Sequence, residues 1–215
     1  MEDYRNARIS EEIAGHELGD IFRNELPEFL EKIVANETNI NNNKFIYKGS
    51  IGQGNWAYVP WIAILNKNIT TTTQEGVYIV YLFSADMERL YLTLNQGVTK
   101  TANNRLKEIK QKLREDLYLE GLNADDNIDL AESGKGAEYE SSTIAYLKYD
   151  FTDIKSGAVS EDKLKDDLKQ FLNIYDEYAS SYKIEDDQSV ESRESEELEY
   201  LDPATTIAKV ENYIK

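Results

Sequence analysis

The chain lacks several features on which common classes of protein depend. None of its 215 residues is cysteine, which excludes disulfide frameworks, thiol nucleophiles and cysteine-ligated metal centres. Its single histidine, His16, excludes sites built from several histidines. No apolar run reaches the roughly 18 residues that a membrane span needs, and the polar N-terminus does not resemble a signal peptide. We therefore expect a soluble cytoplasmic protein that contacts no membrane and has no metal or other cofactor.

Acidic residues dominate the charge. The chain has 41 Asp and Glu against 24 Lys and Arg, for a formal net charge of -17. An acidic balance argues against a nucleic-acid partner, because contact with phosphates usually requires a basic surface. One segment is an exception, since residues 100–114 contain six basic residues and one acid. A single basic face is enough for an otherwise acidic protein to bind DNA.

The hydrophobic pattern predicts an α/β (α+β) fold. Helical spacing over residues 9–35 predicts a helix that Ser10 caps and Pro27 divides or kinks. Two further helices are expected at 98–120 and after Ser160. Short apolar runs with brief spacers indicate a mostly antiparallel sheet, and helices are expected to cover both of its faces. These predicted strands begin at Phe45 and cover residues 59–65, 77–83, 90–94 and 142–149.

Composition divides the chain into three parts. Residues 1–183 are expected to form one compact domain. Residues 184–202 are acidic, rich in serine and without periodicity, which predicts a flexible linker. Pro203 then occupies a favourable first position for a short helix within residues 203–215. Because this helix runs to the last residue, we expect the chain to be a fragment of a longer protein.

A glycine-rich motif lies between the first two predicted strands. Both glycines of Gly52-Gln53-Gly54 tolerate positive φ, so the loop can present Gln53 at its tip. Asn55 and Trp56 follow directly, and Trp61 lies in the next apolar run. On physical grounds alone, a hairpin turn followed by a core strand is the favoured explanation of the motif. In the strand after it, alternation places Tyr78 and Leu82 on one face.

Three consecutive segments resemble the N-terminal domain of McrB-type proteins, the GTP-dependent components of restriction systems that attack modified DNA. The match in order, spacing and identity covers 52–65, 76–83 and 90–97, within a resemblance that spans about residues 1–180. Residues 207–214 also resemble the helix that leads into the GTPase domain of such proteins. The phosphate-binding motif of that domain is absent from this chain.

The resemblance implies a modified-DNA reader. Domains of this family bind double-stranded DNA that contains a modified cytosine, such as 5-methylcytosine, and flip the base into a pocket. By position, the pocket residues are Trp61, Tyr78, Leu82 and Tyr139. The residues expected to fill the gap left by the base are Gln53, Asn55 and Trp56. The best-known member has an aromatic residue where this chain has Gln53, whose amide can hydrogen-bond to the orphaned partner base.

The same resemblance implies that the chain is not itself an enzyme. GTPase activity would lie in the absent domain, and cleavage in a nuclease subunit of the McrC type that the absent domain recruits. The isolated chain is expected to be a monomer. Contacts with the DNA backbone are expected from basic side chains, although a solvated helix face explains most of them equally well. These residues are Lys48, Lys100, Lys107, Lys110, Arg114 and Lys135.

Two other functions compete with DNA reading. An acidic DNA mimic or protein-interaction domain would use the negative charge itself to occupy a basic partner. A metal-dependent nuclease would use Asp150, Glu161 and Lys163, although Glu161 in the first turn after Ser160 is also explained by the helix dipole. His16 is expected to be a surface or capping residue, because no nucleophile pattern accompanies it.

Overall fold

A computed structural model of the chain describes residues 2–37 and 40–199, with side chains for residues 4–36 and 40–182. The chain divides into two compact units, residues 1–178 and residues 179–215. All five strands belong to the first unit. No helix in the described ranges is long and apolar enough to cross a bilayer.

Helices and strands follow one another in mixed order. The strands are β1 (Phe45–Ser50), β2 (Trp61–Asn66), β3 (Val77–Phe83), β4 (Arg89–Gln96) and β5 (Ala145–Asp150). The α-helices before the sheet are α1 (Glu2–Ser10), α2 (Glu17–Asp20) and α3 (Leu26–Glu37), with a π-helix at Ile21–Glu25 and a 3₁₀ turn at Asn42–Lys44. The later helices are α4 (Asn103–Asp116), α5 (Lys135–Ser142), α6 (Phe151–Ser156) and α7 (Glu161–Glu199).

The five strands form one sheet in the order β1-β2-β3-β4-β5, and every neighbouring pair is antiparallel. The predicted fold class is therefore confirmed. The register sets Trp61 opposite Leu82, and Tyr78 opposite Asn95. Residues directly opposite in an antiparallel pair point to the same face. Together with the alternation along β3, this puts all four side chains on one face of the sheet.

The other face of the sheet packs against helices. The ring of Phe22 lies 5.1 Å from that of Phe83, edge to face, and Phe45 stacks on Tyr175 of α7 at 6.4 Å. The Tyr175 hydroxyl donates to Val77 O at 2.7 Å and accepts from Asn66 N at 2.8 Å. These two bonds fix α7 to the ends of β2 and β3 inside an apolar layer.

The helical stretch predicted for residues 9–35, with a division or kink at Pro27, is wrong over residues 11–16, which are not helical. Helix α1 ends at Ser10, whose hydroxyl donates back to Asn6 O at 2.9 Å and so does not cap a helix start. The chain then turns at Gly15, where φ is +73°. His16 caps α2, since its Nδ1 accepts from Leu18 N at 3.2 Å, which confirms its capping role. Pro27 lies in the first turn of α3, directly after the π-helix. Proline is tolerated there because an N–H in the first turn of a helix has no regular helical partner.

Boundaries in the second half also differ from the prediction. Helix α4 begins at Asn103, and α5 occupies residues assigned to a loop and to the start of a strand. The two glycines at 134 and 136 concealed α5 because glycine is a weak helix former. The helix start is stabilised by Glu132, whose carboxylate accepts from the backbone N–H groups of both glycines.

The last described helix begins as predicted and ends much later. The Ser160 hydroxyl accepts from Lys163 N at 3.1 Å, which confirms the predicted cap of α7. The helix continues to Glu199, so residues 184–199 are helical where an irregular chain was expected. Glutamate, the commonest residue there, is a good helix former even without an apolar stripe. The division into domain and linker stays a prediction, and residues 203–215 lie outside the described residues.

Candidate nucleic-acid interface

The four residues predicted to form a base pocket line a single cavity of about 70 Å³. Strands β2 and β3 supply Trp61, Tyr78 and Leu82, and α5 supplies Tyr139. The resemblance thus selected residues that the fold brings together from three elements. Their role as a pocket stays a prediction. The remaining lining comes from β3, β4 and two connecting segments: Thr73, Gln74, Val80, Asn95, Val98 and Thr99.

The strand side of the cavity is apolar and rigidly packed. Val80 and Leu82 are 3% and 2% exposed, so they present only a small part of each side chain to the cavity. Tyr78 is also buried, and its hydroxyl donates to Thr73 O at 3.0 Å. Burial raises the pKa of Tyr78 well above its usual value, so the phenol is neutral at physiological pH. The wall is therefore suited to an uncharged, partly apolar ligand.

Tyr139 is held in place through its backbone. Its side chain and that of Trp61 both line the cavity. Its backbone carbonyl accepts from Asn95 Nδ2 at 3.2 Å and from Thr143 Oγ1 at 2.7 Å. An aromatic wall held in this way is preorganised, since little conformational freedom is lost when a ligand binds.

Asn95 is a site residue that the sequence analysis missed. It is 1% exposed, and its Oδ1 accepts from Ser142 Oγ at 2.6 Å and Gln96 N at 2.7 Å. The asparagine therefore joins β4 to the end of α5 that carries Tyr139. Its signal was present in the sequence, because alternation places Tyr91, Thr93 and Asn95 on the same face of an otherwise apolar strand.

The rim of the cavity is built from two crossing backbone segments. Thr99 N and Lys100 N both donate to Gln74 O, at 3.1 and 3.0 Å. Gly97 is required at the crossing, because a Cβ there would lie 2.1 Å from Glu75 N. Lys100 forms an ion pair with Glu75 at 3.3 Å, which places one predicted backbone contact at this rim.

The glycine loop has the predicted tip, and the three predicted gap-filling residues are placed differently in it. Gly52 and Gly54 have φ of +106° and +74°, and both Gln53 and Asn55 are exposed. Trp56 instead points into the protein, where its Nε1 donates to Glu11 O at 2.8 Å. Its ring packs edge-on against Tyr4 and His16, at 5.3 and 5.0 Å. Trp56 therefore anchors the loop in this structure, which argues against its insertion into DNA.

The six predicted backbone contacts do not form one open basic face. Arg114 is engaged internally, donating to Ile144 O at 2.8 Å, Asp125 O at 2.7 Å and Thr143 O at 3.1 Å. Lys110 and Arg114 also both pair with Asp126 at 2.9 Å, and the hydrogen bond from Lys110 is the main cause of the lowered Asp126 pKa. These two residues neutralise an acidic loop, which argues against their contact with phosphate.

The other four lysines are more accessible. Lys107 is exposed and has no ionic partner among the described residues. Lys48 donates to Thr71 O at 2.7 Å, and Lys135 pairs with Glu138 while its Nζ lies 6.0 Å from the Tyr139 ring centroid. With Lys100, they are the predicted contacts that the fold leaves available for DNA.

The residues of the alternative nuclease site have separate partners. Asp150 pairs with Lys148 at 3.1 Å, and Glu161 pairs with Lys165 at 2.9 Å. Lys163 pairs with the buried Asp167, which also accepts from the Tyr149 hydroxyl at 2.8 Å. In the described part of the chain, no group of three acidic or histidine side chains is arranged to hold a metal ion.

Comparison with known families decides the assignment. The family model described as MrcB-like, N-terminal domain, matches residues 1–180. The chain belongs to this family. A comparison with curated proteins found no match. As an MrcB-like N-terminal domain, the chain is a recognition domain of the kind found in McrB-type restriction systems, and membership indicates DNA as its ligand.

Proposed function

We propose that this MrcB-like domain recognises double-stranded DNA carrying a modified cytosine and accommodates the flipped base in the cavity between Trp61, Tyr78, Leu82 and Tyr139. The observation that carries the proposal is the pair of aromatic side chains, Trp61 and Tyr139, that line one cavity together with the buried Val80 and Leu82. Tyr139 and Trp61 offer ring surfaces to a base. Leu82 and Val80 offer apolar surface to a methyl group.

The cost of extruding a base is similar in size to the free energy that contacts in the cavity supply. Extruding a base costs a few kcal/mol. Stacking on an aromatic side chain returns roughly 1–3 kcal/mol, and burying one methyl group adds about 0.8 kcal/mol. The methyl term alone is therefore sufficient to favour the modified base several-fold, while the stacking term offsets the extrusion.

The cavity must widen to take a whole base. An apolar cavity of about 150 Å³ is known to hold benzene, whereas this one measures about 70 Å³. Gln74 and Thr99 are the exposed lining residues, and they belong to the rim segments. Movement of these segments opens the cavity without disturbing the buried strand wall. After the base has entered, the rim segments are expected to close around it.

Other parts of the surface contribute to binding without reading the base. Gln53 and Asn55, at the tip of the glycine loop, are proposed to occupy the gap that the base leaves. Backbone contacts are proposed for Lys48, Lys100, Lys107 and Lys135. The chain would act in the cytoplasm as the specificity part of a restriction system, with the GTPase in another domain and cleavage in a McrC-type subunit. It is proposed to be neither an enzyme nor an oligomer by itself.

The direct test is a titration of the chain against matched duplexes that contain cytosine, 5-methylcytosine or 5-hydroxymethylcytosine at one position. The salt concentration is kept constant, because phosphate contacts make affinity depend on salt. Tighter binding to a modified duplex is expected. Equal affinity for all three duplexes would contradict recognition of these marks, and measurable affinity for none would favour the acidic interaction domain.

A further inference from the structure

An exposed tyrosine lies in the same loop as Gln53. Tyr58 is 60% exposed, whereas Trp56, two residues earlier, packs inward. The guanidinium carbon of Arg8 lies 4.6 Å from the Tyr58 ring centroid, in cation–π geometry. Since Arg8 covers one ring face, the exposure of Tyr58 leaves an aromatic surface open to solvent.

Arg8 is fixed in place by two backbone carbonyls. Its two terminal nitrogens donate to Tyr58 O and to Ala85 O, each at 3.0 Å. The first carbonyl belongs to the β1–β2 loop and the second to the β3–β4 connection. Tyr4, one turn earlier on α1, donates to Ala57 O at 2.8 Å. Helix α1 therefore holds the Arg8–Tyr58 pair rigidly, and little ordering is needed for another ring to stack on it.

The pair borders a concave surface of about 640 Å³. Asn55 and Trp56 line this surface together with Glu11 and Glu12. Carboxylates disfavour a phosphate, but they accept hydrogen bonds from the amino and imino groups on the edge of a base. An open aromatic face beside an amide and two carboxylates thus fits a nucleobase better than it fits the sugar–phosphate backbone.

We propose that Tyr58, backed by Arg8, forms a second nucleobase site that stacks one unstacked base of the bound DNA. The inference rests on the proposed function for its ligand. Tyr58 lies five residues after Gln53 and three before Trp61, so one segment of chain carries the loop tip, the Tyr58 ring and a residue of the cavity wall. Flipping deprives neighbouring bases of a stacking partner, and the Tyr58 ring replaces it.

The test compares Tyr58→Ala with Tyr58→Phe, which keeps the ring. Because Tyr58 is exposed, neither change threatens the fold, and Tyr118→Ala is a matched control at a tyrosine that is 70% exposed elsewhere. Affinity is measured for a modified duplex, the unmodified duplex and a single-stranded oligonucleotide at one salt concentration. Tyr58→Ala is expected to weaken binding of the modified duplex about tenfold, with Tyr58→Phe and Tyr118→Ala within about twofold of wild type.

The oligonucleotides separate the sources of the base. A loss confined to the modified duplex assigns the site to a base beside the flip, and an added loss on the single strand assigns it to any unstacked base. If the wild-type chain does not distinguish modified from unmodified duplex, the proposed function fails, yet a loss on the single strand still supports the stacking site. Unchanged affinity of Tyr58→Ala for all three probes overturns the site, and equal losses for Ala and Phe overturn stacking as its cause.

Discussion

Removal of the Tyr139 ring tests the cavity with little disturbance of the core. Tyr139 is only half-buried. Tyr139→Ala should therefore lower the free energy of unfolding by only about 1 kcal/mol, because a half-buried ring loses about half of the burial energy of a core aromatic side chain. The backbone carbonyl of residue 139 keeps its donors Asn95 and Thr143 in the variant.

The effect on binding should be larger and selective. A base stacked on one aromatic ring is worth roughly 1–3 kcal/mol, or roughly 5- to 150-fold in affinity. This loss applies only to complexes in which the base occupies the cavity. The unmodified duplex, which relies on contacts with phosphates, should bind Tyr139→Ala within about twofold of wild type. Tyr139→Phe keeps the ring and should retain most of the selectivity.

The assay is fluorescence anisotropy with labelled modified and unmodified duplexes, performed on wild type, Tyr139→Ala and Tyr139→Phe. Thermal unfolding of each protein verifies that the variants are folded. Equal losses on the two duplexes would refute the reasoning, because they would assign Tyr139 to general affinity. A Phe variant as weak as the Ala variant would show that the hydroxyl, and not the ring, matters.

Three further predictions concern the surroundings of the cavity. Asn95→Ala should lower the unfolding free energy in urea by about 2–4 kcal/mol, since buried groups lose their partners, and a loss below about 1 kcal/mol would contradict its linking role. Lys107→Ala should reduce the slope of log affinity against log salt by about one. Arg114→Ala should lower the free energy of unfolding and leave that slope unchanged, and the opposite pattern for the two variants would reverse their assignments. Burial raises the pKa of several tyrosines, which the unfolded chain ionises near pH 10, so stability should fall as pH rises above about 10, by up to about 1.4 kcal/mol per pH unit for each tyrosine. The tyrosines concerned include Tyr78, Tyr81 and Tyr175. Urea unfolding at about pH 9 and about pH 11 tests the prediction, and equal free energies of unfolding at the two pH values would contradict it.

Strand prediction succeeded where the chemistry is local. Continuous β-branched and aromatic runs such as Val77–Phe83 favour a strand in a sheet covered on both sides, which is their environment in the fold. Short spacers between such runs permit only antiparallel connections. The antiparallel sheet followed from these two rules, and the common face of Tyr78 and Leu82 followed from the alternation of side chains along a strand.

Helix prediction failed where a local turn or side-chain cap, and not hydrophobic spacing, determines the boundary. Ser10 resembles an N-cap in the sequence, but the turn at Gly15 and the cap from His16 begin the next helix instead. Helix α5 depends on Glu132, whose carboxylate accepts hydrogen bonds from the N–H groups of two glycines and so offsets their weak helical preference. Neither arrangement leaves a periodic signal, so hydrophobic spacing could not locate them.

The candidate site was predicted only in part, because contacts that leave no pattern in the sequence decide which side chains are free. Resemblance selected the four cavity residues, but no sequence pattern distinguishes a lysine that faces solvent from an arginine that binds backbone carbonyls. Spacing put Lys107 and Arg114 on one side of a helix, yet contacts with the loop that carries Asp126 and with residues 143 and 144 decide that Arg114 is occupied. Spacing also could not show that Trp56 packs inward, because its partners, Tyr4 and His16, lie about 40 or more residues away in sequence.

The central claim is that the modified base itself enters the cavity. The most direct measurement is the NMR signal of an isotope-labelled methyl group on 5-methylcytosine in a duplex, recorded with and without the protein. Enclosure between Trp61 and Tyr139 predicts a large upfield shift caused by the aromatic ring currents, which Tyr139→Ala should reduce. A methyl signal that stays at its free-duplex position in a saturated complex would contradict the account.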